Sequence, residues 1–256
     1  MSASIVLPQN PAQQYLLRLG DSCLILGQRL AEWCGHAPVL EEDIALANMA
    51  LDLIGQSRAL LSHAGRLSGH DEDQLAFLRD EGDYLNPTIV ELPNGPSRPG
   101  DFAFTVLRNA LVASWLELLW TRLAAGQGAA AVDAELAAIA GKAVKEARYH
   151  GRHAADWVVR LGDGTAESHR RLAAALQALW PYTAELFVSD SIDPHATELQ
   201  APWLDRVGAM LSAAGLALPA ASAFRSSGKR GVHSEHMGRL LAEMQHLQRA
   251  HPGGVW

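Results

Sequence analysis

Apolar residues recur along the chain at the three- and four-residue spacings of amphipathic helices. The first series consists of Leu16, Leu19, Cys23, Leu26, Leu30 and Trp33. A second series consists of Ile44, Ala47, Leu51, Ile54 and Leu61. It follows three acidic residues at 41–43, which suit the positive end of a helix. We therefore predict two long helices, the second of which ends near Gly65 and packs on the core through its series.

Two further long helices follow a proline- and glycine-rich connection at 92–101. The third starts at Asp101 and stops around Gly126, with Phe104, Leu107, Leu111, Trp115 and Leu118 at its apolar positions. The fourth runs from about Val132 to Leu161 and carries Leu136, Ala140, Ala143, Ala147, His150, Ala154, Trp157 and Leu161. Segments 165–190, 203–214 and 233–251 predict additional helices. No segment has the alternating pattern of a strand.

Four long helices with an extended connection between the middle pair are typical of the ferritin-like bundle. We predict an all-α fold, a long ferritin-like four-helix bundle with additional C-terminal helices, in a single domain over 1–256. The apolar fraction of 48% is ample for the core of such a domain.

Composition argues against several classes of function. The chain has 21 basic and 28 acidic residues, a net charge of −7 and no basic tract, so we expect no nucleic-acid partner. Cys23 and Cys34 lie about 16 Å apart if both are on one helix, too far for a disulfide, which fits a reducing compartment. The N-terminus lacks a signal-peptide pattern, and the weakly polar run near residues 211–224 is too short to span a membrane. We expect a soluble cytoplasmic protein.

A dimetal site in such a bundle needs one carboxylate from each of two helices and a Glu-x-x-His from each of the other two. On the second helix the best candidate is Asp52, and Gly55 stands three residues later. On the fourth helix Glu146 is followed by Tyr149, and His150 comes one residue late. The pattern favours a degenerate site, with Glu146, Tyr149 and His150 in a hydrogen-bonded core cluster, over an intact metal centre.

The segment SSGKRG at 226–231 places Lys229 and Arg230 before a predicted helix. Such a segment can receive a phosphate at the helix N-terminus. It can equally be a polar turn that caps the helix. The chain has no Gly-x-Ser-x-Gly elbow, phosphate loop or dinucleotide fingerprint, so we predict no catalytic residue.

Three stretches carry a resemblance to a known family. They are LILGQRLAEWCGHAPVLEEDIALANMALDLIGQSRALL at 24–61, AVKEARYHGRHAADWVVRLGDGT at 143–165 and GKRGVHSEHMGRLLAEMQHLQ at 228–248. They resemble the C subunits of bacterial phenylacetyl-CoA epoxidases, multicomponent oxygenases of phenylacetate catabolism. The match spans nearly the whole chain, and WCGHAPxLEEDIALAN and KEARYH are its most specific motifs.

The resemblance implies a structural, non-catalytic subunit without a cofactor of its own. Its partner is expected to be a homologous catalytic subunit with a di-iron site that epoxidises the ring of phenylacetyl-CoA. Electrons are expected to come from NADPH through a reductase subunit, and small accessory subunits are further expected partners. The chain then meets phenylacetyl-CoA only indirectly, with Lys229 and Arg230 as candidate contacts of the coenzyme A phosphates.

Two alternatives stay open at this point. The chain can be a self-sufficient ferritin-like metalloenzyme with an atypical ligand set that includes Glu146, His150, Asp52 and Glu117. It can also be a homo-oligomeric helical scaffold with no oxygenase partner. Metal analysis of the chain purified alone tests the first alternative, and co-purification tests the second.

Overall fold

The computed structural model describes residues 4–8, 10–96 and 100–254, apart from the side chain at position 130. The first half contains α1 (Pro11–Ala31), α2 (Leu40–Arg66), α3 (Glu72–Phe77), α4 (Thr88–Glu91) and α5 (Phe102–Ala124). The second half contains α6 (Ala134–Asp163), α7 (Ala166–Thr183), α8 (Gln200–Ala213), α9 (Glu235–Met244) and α10 (His246–Ala250). Helices and short 3-10 turns are connected by loops, and no strand occurs within the described ranges.

Side-chain caps begin α1, α5, α6 and α7, whereas α2 starts after Val39 without one. Asn10 accepts hydrogen bonds from the first backbone amides of α1, and Asp101 accepts one from Phe104 at the start of α5. Asp133 does the same for α6, and Thr165 forms a capping box at the start of α7. Each cap satisfies amides that have no partner inside the helix.

The four long helices form two hairpins, α1 with α2 and α5 with α6, and α2 faces α6 across the bundle. Helix α5 is long and apolar enough to cross a membrane, but 78% of its most apolar window is buried inside the protein. It is therefore the central helix of the core. Buried apolar side chains from α1 to α9 join in one cluster. The architecture is the all-α ferritin-like bundle with added C-terminal helices that the sequence predicts.

The predicted core positions are confirmed on α1, whereas on α2 only Leu61, at the C-terminal end of the predicted series, is buried. All six members of the first series are buried, including Trp33, which lies just beyond the end of α1. On α2, Ile44, Leu51 and Ile54 are exposed, and the buried side chains are instead Leu46, Met49, Leu53 and Leu60. The helix has two apolar faces, and periodicity alone does not reveal which of them meets the core.

The predicted helix at 203–214 corresponds to α8, whereas the other two C-terminal helices are shorter than predicted. Helix α7 ends at Thr183 and passes into a 3-10 turn at Ala184–Phe187, so the segment 165–190 is not one helix. The segment 233–251 is divided at Gln245 into α9 and α10.

A buried ion pair fastens the connection after α3 to the bundle. The carboxylate of Asp21 accepts hydrogen bonds from both terminal nitrogens of Arg79, and neither side chain has any exposed surface. The Arg79 guanidinium lies 4.2 Å from the centre of the Tyr84 ring. The backbone amide of Leu85 also donates to Asp21. A charge so enclosed depends on its partner.

A second buried pair anchors the segment before α9. Nδ1 of His233 lies 2.7 Å from Oε2 of Glu91, and Nε2 lies 2.9 Å from the carbonyl oxygen of Tyr84. Because Nε2 faces a carbonyl oxygen, it must donate, and donation from Nδ1 to the carboxylate as well requires the imidazolium. Burial lowers the pKa of His233, but the hydrogen bond and charge of Glu91 raise it above the ordinary value overall.

Candidate functional site

Polar side chains line the contact between α2 and α6 along most of its length. Four pairs bridge the two helices with 2.7 to 3.1 Å between polar atoms: Glu42 with His153, Asp52 with His150, Gln56 with Glu146, and His63 with Asp133. We call this set the α2–α6 seam. It contains the acidic and imidazole groups that the sequence proposes as remains of a metal site.

His150 pairs with Asp52 rather than with Glu146. Its Nε2 lies 3.0 Å from Oδ2 of Asp52, and the residue is 5% exposed. Burial lowers the pKa of His150, although the Asp52 carboxylate acts to raise it. The neutral imidazole can donate from Nε2 to this carboxylate. Glu146 accepts from Gln56 instead, and Tyr149 is 52% exposed, so the predicted core cluster of Glu146, Tyr149 and His150 is wrong.

The buried positions at which a dimetal site would lie are one residue away from those that the sequence suggests. Directly beside the predicted positions, Leu53 and Gln56 on α2 and Ala147 and His150 on α6 are pairs three residues apart whose members are all at most 5% exposed. Gly55 and Tyr149 are exposed, so the prediction that they occupy inward histidine positions is wrong. Leu53 and Ala147 stand where a Glu-x-x-His pair would have its carboxylate. Within the described helices, His150 stands at the histidine position of its pair, and Gln56 stands at the other histidine position.

The side chains present do not fit a dimetal centre. Among the residues that the structure describes, no three His, Cys, Asp or Glu side chains are grouped closely enough to hold a metal ion. Glu117, a member of the alternative ligand set, binds Arg148 at 3.0 Å and Arg206 at 2.6 Å. It therefore belongs to a contact among α5, α6 and α8, apart from the α2–α6 seam.

The outer surface of α2 exposes a row of large apolar side chains. Val39, Leu40, Ile44, Leu51 and Ile54 are 49, 72, 54, 65 and 39% exposed. We call these five residues the outer face of α2. From Leu40 to Ile54 they follow helical spacing, and Ala47 fills the gap in the row. A contiguous apolar helix face on a protein surface is typical of a protein–protein interface.

One of the two cationic side chains of the 226–231 loop is buried inside the protein. Lys229 is 5% exposed, and its ammonium donates to the carbonyl oxygens of Glu185 and Val188. Burial lowers the pKa of Lys229 to about 8. The expectation that Lys229 faces an anionic ligand is therefore wrong, whereas Arg230 is exposed. The loop does not itself cap the next helix, because Ser234 caps α9.

Sequence reasoning misses three features of these sites: the inward position of Gln56, the buried carboxylates Glu91 and Glu185, and the outer face of α2. One signal is available for the first and third. The series Leu46, Met49, Leu53 and Leu60 has helical spacing as good as that of the series predicted to face the core. Two such series on one helix indicate that both of its faces are apolar.

Comparison with known proteins agrees with the resemblance carried by the motifs. Residues 4–256 match the family model described as phenylacetic acid catabolic protein. The chain is 48% identical over 257 residues to the C subunit of 1,2-phenylacetyl-CoA epoxidase from Escherichia coli strain K12. The similarity covers 96% of this chain and 100% of that relative.

Proposed function

Because the chain belongs to the phenylacetic acid catabolic protein family, we propose that it is the structural subunit of a phenylacetyl-CoA epoxidase. In this proposal it pairs with a homologous ferritin-like subunit and stabilises it. The partner holds a di-iron centre and carries out the epoxidation, and a reductase supplies electrons from NADPH. This chain contributes no cofactor and no catalytic residue, and it acts in the cytoplasm.

The outer face of α2 carries the proposal of pairing. Its large side chains are 39 to 72% exposed in the single chain. Burial of this apolar surface by a partner would stabilise the complex. A long helix of a second bundle can cover this face along several turns, as helices do in bundle packing. We expect the complete interface to bury more than about 2,000 Å², as stable subunit contacts commonly do.

The residues at the inward positions support the non-catalytic part of the proposal. Leu53 and Ala147 offer no ligand atom, and the retained His150 is engaged by Asp52. An oxygen-activating dimetal centre requires carboxylates at these levels of the bundle. These residues support the proposal that another subunit carries out ring epoxidation.

Co-expression with the homologous subunit tests the proposal. We expect the two chains to co-purify in a fixed ratio, with iron in the partner after the subunits are separated and less than one iron per copy of this chain. Epoxidation of phenylacetyl-CoA should require the partner, and this chain alone with reductase and NADPH should turn over none. Two tightly bound irons in this chain would favour a self-sufficient enzyme. A stable homo-oligomer that does not bind the homologous subunit would favour the hypothesis of a homo-oligomeric scaffold.

Contact with the substrate is a separate and narrower part of the proposal. Arg230 is the exposed cation of the 226–231 loop, and a coenzyme A phosphate close to the subunit junction can be attracted to it. Lys229 does not fit this role, because its side chain is buried and its ammonium donates to two backbone carbonyl groups.

A further inference from the structure

The contact among α1, α2 and α6 encloses a chain of polar groups that subunit pairing does not use. The thiol of Cys23 donates to Oε1 of Gln56 at 3.5 Å, and Nε2 of Gln56 donates to Oε2 of Glu146 at 2.8 Å. Cys23 has no exposed surface, and Gln56 is 5% exposed. A single neutral amide therefore links side chains from three helices.

The two groups that Gln56 engages are potential ligands of a transition-metal ion. Thiolates and carboxylates bind such ions, but a thiol must first lose its proton. Burial raises the pKa of the Cys23 thiol, and the charges of Glu146 and Asp21 raise it further, so this thiol stays protonated. The amide oxygen accepts the thiol proton, and the amide hydrogens face the Glu146 carboxylate.

We infer that Gln56 keeps divalent cations out of this bundle, because its amide satisfies Cys23 and Glu146 at the level where an inward-facing metal ligand would stand. Gln56 thus acts as a neutral cross-link in place of a metal ion, and α1, α2 and α6 hold together without one. The inference rests on the proposed function, in which metal belongs to the homologous partner alone.

The substitution Gln56→Glu tests the role of the neutral amide. It places a second carboxylate within about 3 Å of Glu146, and two carboxylates at that distance need a shared proton or a cation. We expect this variant to unfold at a lower temperature than the wild type in the presence of EDTA. At a Co²⁺ concentration 100-fold above its Kd, the unfolding temperature should rise by about 5 to 10 °C. The wild-type chain should show no Co²⁺-dependent shift.

Gln13→Glu is the matched control. Gln13 is also buried, but its amide donates to the carbonyl of Ala64 and the hydroxyl of Ser68 rather than to a carboxylate. This variant should lose stability without regaining it in Co²⁺. If Gln56→Glu does not fold, Gln56→His serves instead, because its imidazole can join Cys23 and Glu146 as a third ligand. That variant should bind Co²⁺ and show the absorption of a cobalt–thiolate bond.

Cobalt titrations of the full-length chain decide the matter. Binding of one Co²⁺ per wild-type chain would overturn the inference, as would indifference to Co²⁺ in both Gln56 variants. Co-purification of the wild-type chain with its homologous subunit is measured in parallel. A wild-type chain that pairs but binds Co²⁺ contradicts only the role of Gln56. One that stays free of metal but does not pair contradicts only the proposed function.

Discussion

Truncation of Leu51 should weaken pairing with the homologous subunit without unfolding this chain. Leu51 is 65% exposed in the single chain, so about two thirds of its side-chain surface is available for burial by a partner. Complete burial of a leucine side chain stabilises by about 1.5 to 3 kcal/mol. Leu51→Ala should therefore cost about 1 to 2 kcal/mol of binding free energy, a rise of about 5- to 30-fold in Kd.

The effects on the outer face of α2 should be graded by exposure. Ile44 is 54% exposed and Ile54 is 39% exposed, so alanine at these positions should cost less than at Leu51 and follow that order. Surface plasmon resonance with the purified partner measures the change, which we expect mostly in the dissociation rate. Leu247→Ala is the control, because Leu247 is 55% exposed but lies on α10.

Thermal unfolding of each isolated variant separates binding from stability. An exposed side chain contributes little to the fold, so the melting temperature of Leu51→Ala should match that of the wild type. Equal affinities for the wild type and all three α2 variants would refute the assignment of this surface. A large loss of stability in isolated Leu51→Ala would show that the side chain is packed within the single chain.

Three other predictions follow from contacts described above. Asp21→Asn should lower the free energy of unfolding by about 3 to 5 kcal/mol in urea titrations, because it leaves the Arg79 charge buried without a counter-ion; no loss would contradict this. His233→Gln should reduce stability at low pH and approach the wild type as pH rises. The pKa of His233 is raised in the folded protein, so its protonation stabilises the fold fully below about pH 6.5, and this stabilisation is lost as the pH rises through the folded-state pKa. If the stability difference between His233→Gln and the wild type grows as pH rises from 5 to 9, the raised pKa of His233 is contradicted. Arg230→Gln should raise the apparent KM for phenylacetyl-CoA of the assembled enzyme at low salt and leave assembly unchanged, and equal KM values at all ionic strengths would exclude the contact.

The fold follows from the sequence where each helix has one apolar face. Helix α6 is an example, because the predicted series from Leu136 to Ala154 is buried, after which Val158 replaces Trp157. On α2 periodicity selects the wrong face, because both faces of that helix are apolar. The predicted fold class does not depend on this choice, since a helix rotated about its axis keeps its length and place in a bundle.

The metal-site positions need information that spacing does not contain. Asp52 is the acidic candidate on α2, but a polar residue at the edge of a helix contact looks the same in sequence as one at its centre. The structure moves the inward pair by one residue, to Leu53 and Gln56. Likewise, the buried ammonium of Lys229 donates to carbonyl groups about forty residues earlier in the chain. A local sequence motif does not reveal such a long-range contact.

The outer face of α2 has a consequence for how the protein is made. A copy that folds before it meets its partner presents large aliphatic side chains to water, and such surfaces promote aggregation and recognition by chaperones and proteases. If the chain pairs as proposed, we expect surplus copies to be degraded or to precipitate while paired copies persist. Under that proposal the supply of the homologous subunit would limit the cellular amount of this chain, however fast its own messenger RNA is translated.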